Sequence, residues 1–119
     1  MAKKSSSGSK TRGMKIPAAQ YDLPATFGPD GNMVKLKEVM EPGFGSVMSL
    51  ASLSPEKRAE LTATRIAEQP KFELAMIGGG MIDRARAIQE VQAHSEIGRI
   101  LIEIEQRLIQ NLLDEVAAQ

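Results

Sequence analysis

The chain has 119 residues, enough for one domain at most, and with three Phe, one Tyr and no Trp its core is expected to be aliphatic. No cysteine and a single histidine exclude disulfides, thiolate metal sites and the usual zinc-ligand patterns. The formal net charge of zero conceals an asymmetry: residues 1–15 carry five basic residues and no acid, so the remaining ten basic and fifteen acidic residues leave the body at minus five.

Residues 1–13 set Ser5, Ser6, Ser7, Gly8 and Ser9 among lysines with no apolar periodicity, so a disordered basic arm is expected there. Lys3, Lys4, Lys10, Arg12 and Lys15 are its candidate polyanion contacts, for a phosphate backbone or another acidic surface. No aromatic residue is interleaved to stack on bases, which favours a solubilising tail over a nucleic-acid arm. No apolar stretch follows the basic residues and no run reaches the ~18 to 20 residues of a membrane span. A soluble, cytoplasmic protein is therefore expected.

Residues 14–45 read as an extended or hairpin docking segment. Tyr21, Leu23, Ala25 and Phe27 alternate with Asp22, Pro24 and Thr26; Gly28-Pro29-Asp30-Gly31-Asn32 supplies turn chemistry; Val34 and Leu36 then alternate with Lys35 and Lys37. Pro17 and Pro24 confine the first strand to an edge, and an isolated hairpin is marginal, so it lies against a helix or adds to a partner's sheet. Leu23-Pro24-Ala25-Thr26 resembles the opening of a sortase sorting signal, but Phe27 stands where that signal has glycine. The apolar anchor that accompanies such a signal is also missing, so no sorting function is expected.

Residues 46–119 read as a helical association domain. Pro42-Gly43-Phe44-Gly45 breaks the chain before it, and a helical turn is expected within residues 46–53. Ser54 as cap, Pro55 at the first helical position and Glu56 in the first turn start a short helix over about 55–69, which Pro70 ends. Residues 71–77 then lead into Gly78-Gly79-Gly80. A dinucleotide-binding turn fails on spacing, because its third glycine falls at Asp83, a carboxylate where phosphate would sit. Glu73, Leu74, Ile77 and Gly79-Gly80 resemble the end of a double-glycine leader over eight residues. That resemblance implies cleavage after Gly80 and release of residues 81–119. The released piece would offer a maturation enzyme no Cys, no Thr and one Ser. The default reading is structural: Gly78, Gly79 and Gly80 form a hinge before the helix that follows, since glycine costs about 1 kcal/mol per residue in a helix interior.

Residues 81–117 contain no proline and repeat apolar positions at helical spacing, which predicts one long helix. Met81, Ile88, Ile102, Ile109 and Val116 align at multiples of seven; Val91, Gly98 and Leu112 form the next row, and Leu101, Leu108, Ile97 and Ile104 widen the face. Such a helix would be on the order of 55 Å long, more than a chain of this size wraps. The fold class expected is therefore mainly α, a bundle or oligomer. Its partner-binding residues would be Ile88, Val91, Ile97, Leu101, Ile102, Ile104, Leu108, Ile109, Leu112 and Val116.

Several polar residues interrupt this picture. Arg84 and Glu105 stand within the apolar rows, where they either pair across subunits and fix register or stay exposed. Glu103 and Arg107, four apart in the favourable order, predict a surface pair. His94 sits at the margin of the face, as an exposed histidine or a pH-sensitive element of an interface. Glu103 and Glu105 point to different faces and make no paired-carboxylate site. With no nucleophile beside a base, no ligand cluster and no correctly spaced phosphate loop, neither an enzyme nor a cofactor is expected. The leading expectation is a small structural or adaptor protein that self-associates through its C-terminal helix and docks on a larger assembly. A nucleic-acid-associated accessory protein and an exported helical filament or rod subunit are the alternatives.

Overall fold

The computed structural model describes residues 16–45, 47–76 and 80–118. The chain is helix-rich with two small antiparallel sheets, in the order β1 (Pro24–Phe27), β2 (Met33–Lys35), α1 (Leu36–Val39), α2 (Pro55–Glu68), β3 (Glu73–Met76), β4 (Gly80–Asp83), α3 (Arg84–Gln92) and α4 (Glu96–Ala118). No helix among these residues is long and apolar enough to cross a membrane.

The first hairpin forms where the turn chemistry places it. Phe27 pairs with Met33 and Thr26 with Val34, with an irregularity before Pro24 pairs with Lys35. Gly31 donates to the Gly28 carbonyl and takes a φ of 87°, and the Asp30 carboxylate accepts from the Asn32 backbone N–H at 3.0 Å. The hairpin packs on helices of its own chain: Ala25, Phe27 and Leu36 share a core with Leu50, Leu53, Leu61, Ile109 and Leu112. Alternation does not hold in β1, where Thr26 is buried too. Its hydroxyl donates to the Met48 carbonyl at 2.7 Å, and Met48 N–H donates to the Phe27 carbonyl, so the segment before α2 covers the strand's second side.

Helix α2 starts and stops as its sequence dictates. The Ser54 hydroxyl accepts from Lys57 N–H at 3.1 Å, Pro55 opens the first turn, and Gln69 leaves the helix ahead of Pro70. Its inner face serves both halves of the molecule: Leu61 joins the core under the first hairpin, while Ala59, Ala63 and Ile66 join a second core with Ile82, Ala87, Val91 and Leu101.

The single helix expected over residues 81–117 is replaced by a strand and two helices. Residues 81–83 belong to β4, which pairs with β3 in the register Glu73 to Asp83, Leu74 to Ile82, Ala75 to Met81 and Met76 to Gly80. Gly80 opens β4 with a φ of 70°, so a strand rather than a helix follows the glycines; Gly78 and Gly79 lie outside the described residues. Helix α3 begins at the next residue because the Asp83 carboxylate accepts from Arg86 N–H at 2.9 Å. A second break follows at residues 93–95. The Ser95 N–H donates to the Glu90 carbonyl and the His94 N–H to the Val91 carbonyl, the two bonds of a Schellman ending, with His94 at φ 54° where glycine is usual. Ser95 then starts α4, its hydroxyl accepting from Gly98 N–H at 3.0 Å.

Folding back is driven by burial. A rod of about 55 Å would leave both of its ends in water. The corner instead lays α3 on α4 and brings Ala87, Val91 and Leu101 to 0–2% exposure. The molecule measures 48 × 33 × 20 Å along its principal axes.

Candidate functional site

The ten apolar residues expected to meet a partner divide into three groups. Val91, Leu101, Ile109 and Leu112 are at most 2% exposed, covered by this chain's own hairpins and helices. Ile88, Ile97, Ile102, Leu108 and Val116 are half-buried on the margins of the two cores. Ile104 stands out at 46% exposure, and Ile100, one turn before it and absent from the expected set, is 39% exposed.

These two exposed isoleucines make a surface with a direction. On α4 the residues facing inward are Gly98, Leu101, Glu105, Ile109 and Leu112. Ile97, Ile100, Ile104 and Leu108, spaced three and four apart, lie along one shoulder of that inward face and lead from the core out to solvent. Glu103 and Arg107 border them, joined at 2.8 Å as their spacing predicts. Together they form an apolar shoulder edged by charge. Met81, at 63% exposure, and Tyr21 and Phe44, at 37% and 36%, are further exposed apolar residues.

The most buried polar feature was not foreseen. Arg65, on the inner side of α2, has no exposed surface, and each of its three guanidinium nitrogens donates a hydrogen bond. Its Nε donates to Glu105 at 2.9 Å, Nη1 to the Pro24 carbonyl at 2.8 Å, and Nη2 to the Gln20 side chain at 2.6 Å. Glu105 thus does not stay exposed; it pairs within the chain, between the two cores. Arg65 ties α2, α4, β1 and the turn Ala18–Gln20 through one planar group. Removing either partner would strand a buried charge, so this network fixes how the N-terminal hairpin sits on the helices. Arg84 is half-buried, and its Nη2 donates to the Gln69 carbonyl at 2.6 Å.

The α3–α4 corner is a second concentration of polar contacts. The Ser95 hydroxyl bonds to the Glu90 side chain as well as to its carbonyl. This bond, seconded by Arg86 across one helical turn, holds the Glu90 carboxyl below the usual glutamate range, against a smaller opposing effect of partial burial. Gly98 sits where the helices touch: a Cβ there would lie 2.0 Å from the Glu90 carbonyl oxygen. At the opposite end, Lys37 and Asp22 pair at 2.7 Å on the surface, which lowers the Asp22 carboxyl and raises the Lys37 amine.

Lys3, Lys4, Lys10, Arg12 and Lys15 lie outside the described residues. Among the described residues, no group of three or more His, Asp or Glu is placed to hold a metal ion. No protein-family model, curated protein or solved structure matches this chain.

Proposed function

We propose that this protein is a small non-enzymatic association module, a structural or adaptor subunit that pairs with a second copy of itself through the outer shoulder of α4. The observation that carries the reading is the exposure of Ile100 and Ile104 on adjacent turns, continuous with the half-buried Ile97 and Leu108. Burying such a stripe against its like removes apolar surface from water at about 25 cal/mol per Å², and helices meeting on a shared stripe bury it on both partners at once. The buried Arg65 network supports the same reading. It makes the hairpin and helices one scaffold, so that a contact made at α4 is held rigidly relative to the N-terminal segment, which would dock on a larger assembly.

Sedimentation equilibrium on the full chain at micromolar concentration tests this. A dimer or larger species is expected for the native sequence, and a monomer of unchanged helicity for Ile100→Glu/Ile104→Glu. A native chain that stays monomeric across that range ends the proposal. A second reading, attachment to nucleic acid through the basic arm, has the charge asymmetry of residues 1–15 in its favour. Duplex binding that ignores salt, or survives deletion of those residues, would eliminate it.

A further inference from the structure

The geometry points to an anion-binding groove where the α3–α4 corner meets the start of α2, fitted to a small organic carboxylate or phosphate ester. A cavity of about 380 Å³ opens there, lined by Pro55 and Arg58 from α2, His94 from the corner, and Arg99, Ile102, Glu103 and Gln106 from α4. That volume falls in the range that holds small ligands.

Arg58 and Arg99 both border the cavity, and the one carboxylate on its rim, Glu103, is already held at 2.8 Å by Arg107. Guanidinium forks match the paired oxygens of a carboxylate or phosphoryl group.

Arg58 Nε and Gln106 Nε2 are shielded from solvent yet have no hydrogen-bond partner among the described residues. The remaining Arg58 bonds, from Nη2 to the Leu50 and Ala51 carbonyls, are long at 3.4 and 3.3 Å. Buried donors left unmatched are unfavourable, and the residues that carry these two both line the cavity, so a group that only accepts would satisfy them once their side chains turn toward it. An oxyanion is such a group.

His94 holds a left-handed backbone that L side chains seldom adopt, and its carbonyl accepts from Arg99 Nη1 at 3.2 Å. The carbonyl so placed anchors one of the two guanidinium groups at the cavity. Pro55 and Ile102 add an apolar wall, so the ligand has a hydrocarbon body beside its charged end.

The test is NMR titration of the full-length protein with hexanoate, with hexanamide as its uncharged counterpart, and with inorganic phosphate. Hexanoate is expected to shift the Arg58 and Arg99 Nε–H signals and the Gln106 side-chain amide saturably, hexanamide to leave them in place, and phosphate to bind more weakly. Arg99→Gln, at an exposed position that disturbs no core, is expected to weaken hexanoate roughly tenfold. Equal responses to hexanoate and hexanamide, or an unaltered affinity in Arg99→Gln, would overturn the groove as an anion site. Phosphate binding as tightly as hexanoate would overturn its apolar half. Because the association test changes Ile100 and Ile104, failure of one proposal is separable from failure of the other.

Discussion

Replacing Gly98 with alanine separates helix propensity from packing, because the two predict opposite signs. In an isolated helix the change stabilises by about 1 kcal/mol. In this molecule the added Cβ would sit 2.0 Å from the Glu90 carbonyl oxygen, 2.5 Å from its carbon and 2.9 Å from Val91 Cα, all backbone atoms that no rotamer change moves aside. Ordinary contact begins at 3.4 Å, so α3 must retreat by well over an ångström at this point. A retreat of that size loosens Ala87, Val91 and Leu101, each at most 2% exposed, and pulls Ser95 away from the two Glu90 oxygens that hold the corner. Overpacking against unyielding neighbours costs about 1–3 kcal/mol, and loss of the corner bonds adds about 1 kcal/mol. After the propensity gain, a net destabilisation of about 2 kcal/mol is expected, a large share of the total for a small domain. Urea unfolding followed by far-ultraviolet circular dichroism reads it as a lower midpoint at unchanged slope. A Gly98→Ala chain more stable than the native one would refute the close α3–α4 approach.

Arg65→Met should destabilise by about 3–5 kcal/mol by stranding Glu105, whereas adding Glu105→Leu should recover much of that loss. Urea midpoints of both variants check it, and a double variant no more stable than the single would show that Glu105 is not the stranded partner. The Glu90 carboxyl should titrate below an ordinary glutamate and move back toward it in Ser95→Ala, as followed by side-chain carbon chemical shifts. Because the folded value is lowered, the contribution of this contact is complete above the unfolded glutamate range and is lost as pH falls through the folded value. Gly31→Ala, with open space around its Cβ but a φ of 87°, should lose about 1 kcal/mol through backbone strain alone, measured by thermal unfolding. His94→Gly should gain about as much, since glycine adopts the φ of 54° freely.

Signals that act within a few residues were legible in the sequence. Ser54-Pro55-Glu56 placed the start of α2 and Pro70 its end; the Gly28 to Asn32 turn placed the first hairpin; the spacing of Glu103 and Arg107 gave their pair. The inner face of α4 was also readable, because a helix that buries one side repeats its apolar residues at a fixed angle whatever covers them. Of the candidate contact surface, that periodicity captured Ile97, Ile104 and Leu108 but could not separate them from Leu101 and Ile109, which the fold covers. Ile100 was missed because it falls beside the stripe rather than in it.

The breaks at residues 81–83 and 93–95 carried weaker signs. Asp83 and Ser95 are both good helix starters, and Glu96 follows Ser95, yet neither break is marked by proline and neither stood out in an apolar rhythm that runs through both. What chose the bend was surface to be covered: β3 pairing with β4 in one place, and α3 closing on α4 over Gly98 in the other. The same holds for Arg65 and Glu105, forty residues apart, which meet only after α2 and α4 lie side by side. Local chemistry thus decided where most elements start and stop, since caps, turns and prolines act on their immediate neighbours. The tertiary structure alone decided which apolar positions stay in water and which charges share the interior, because both depend on what packs against them from elsewhere in the chain.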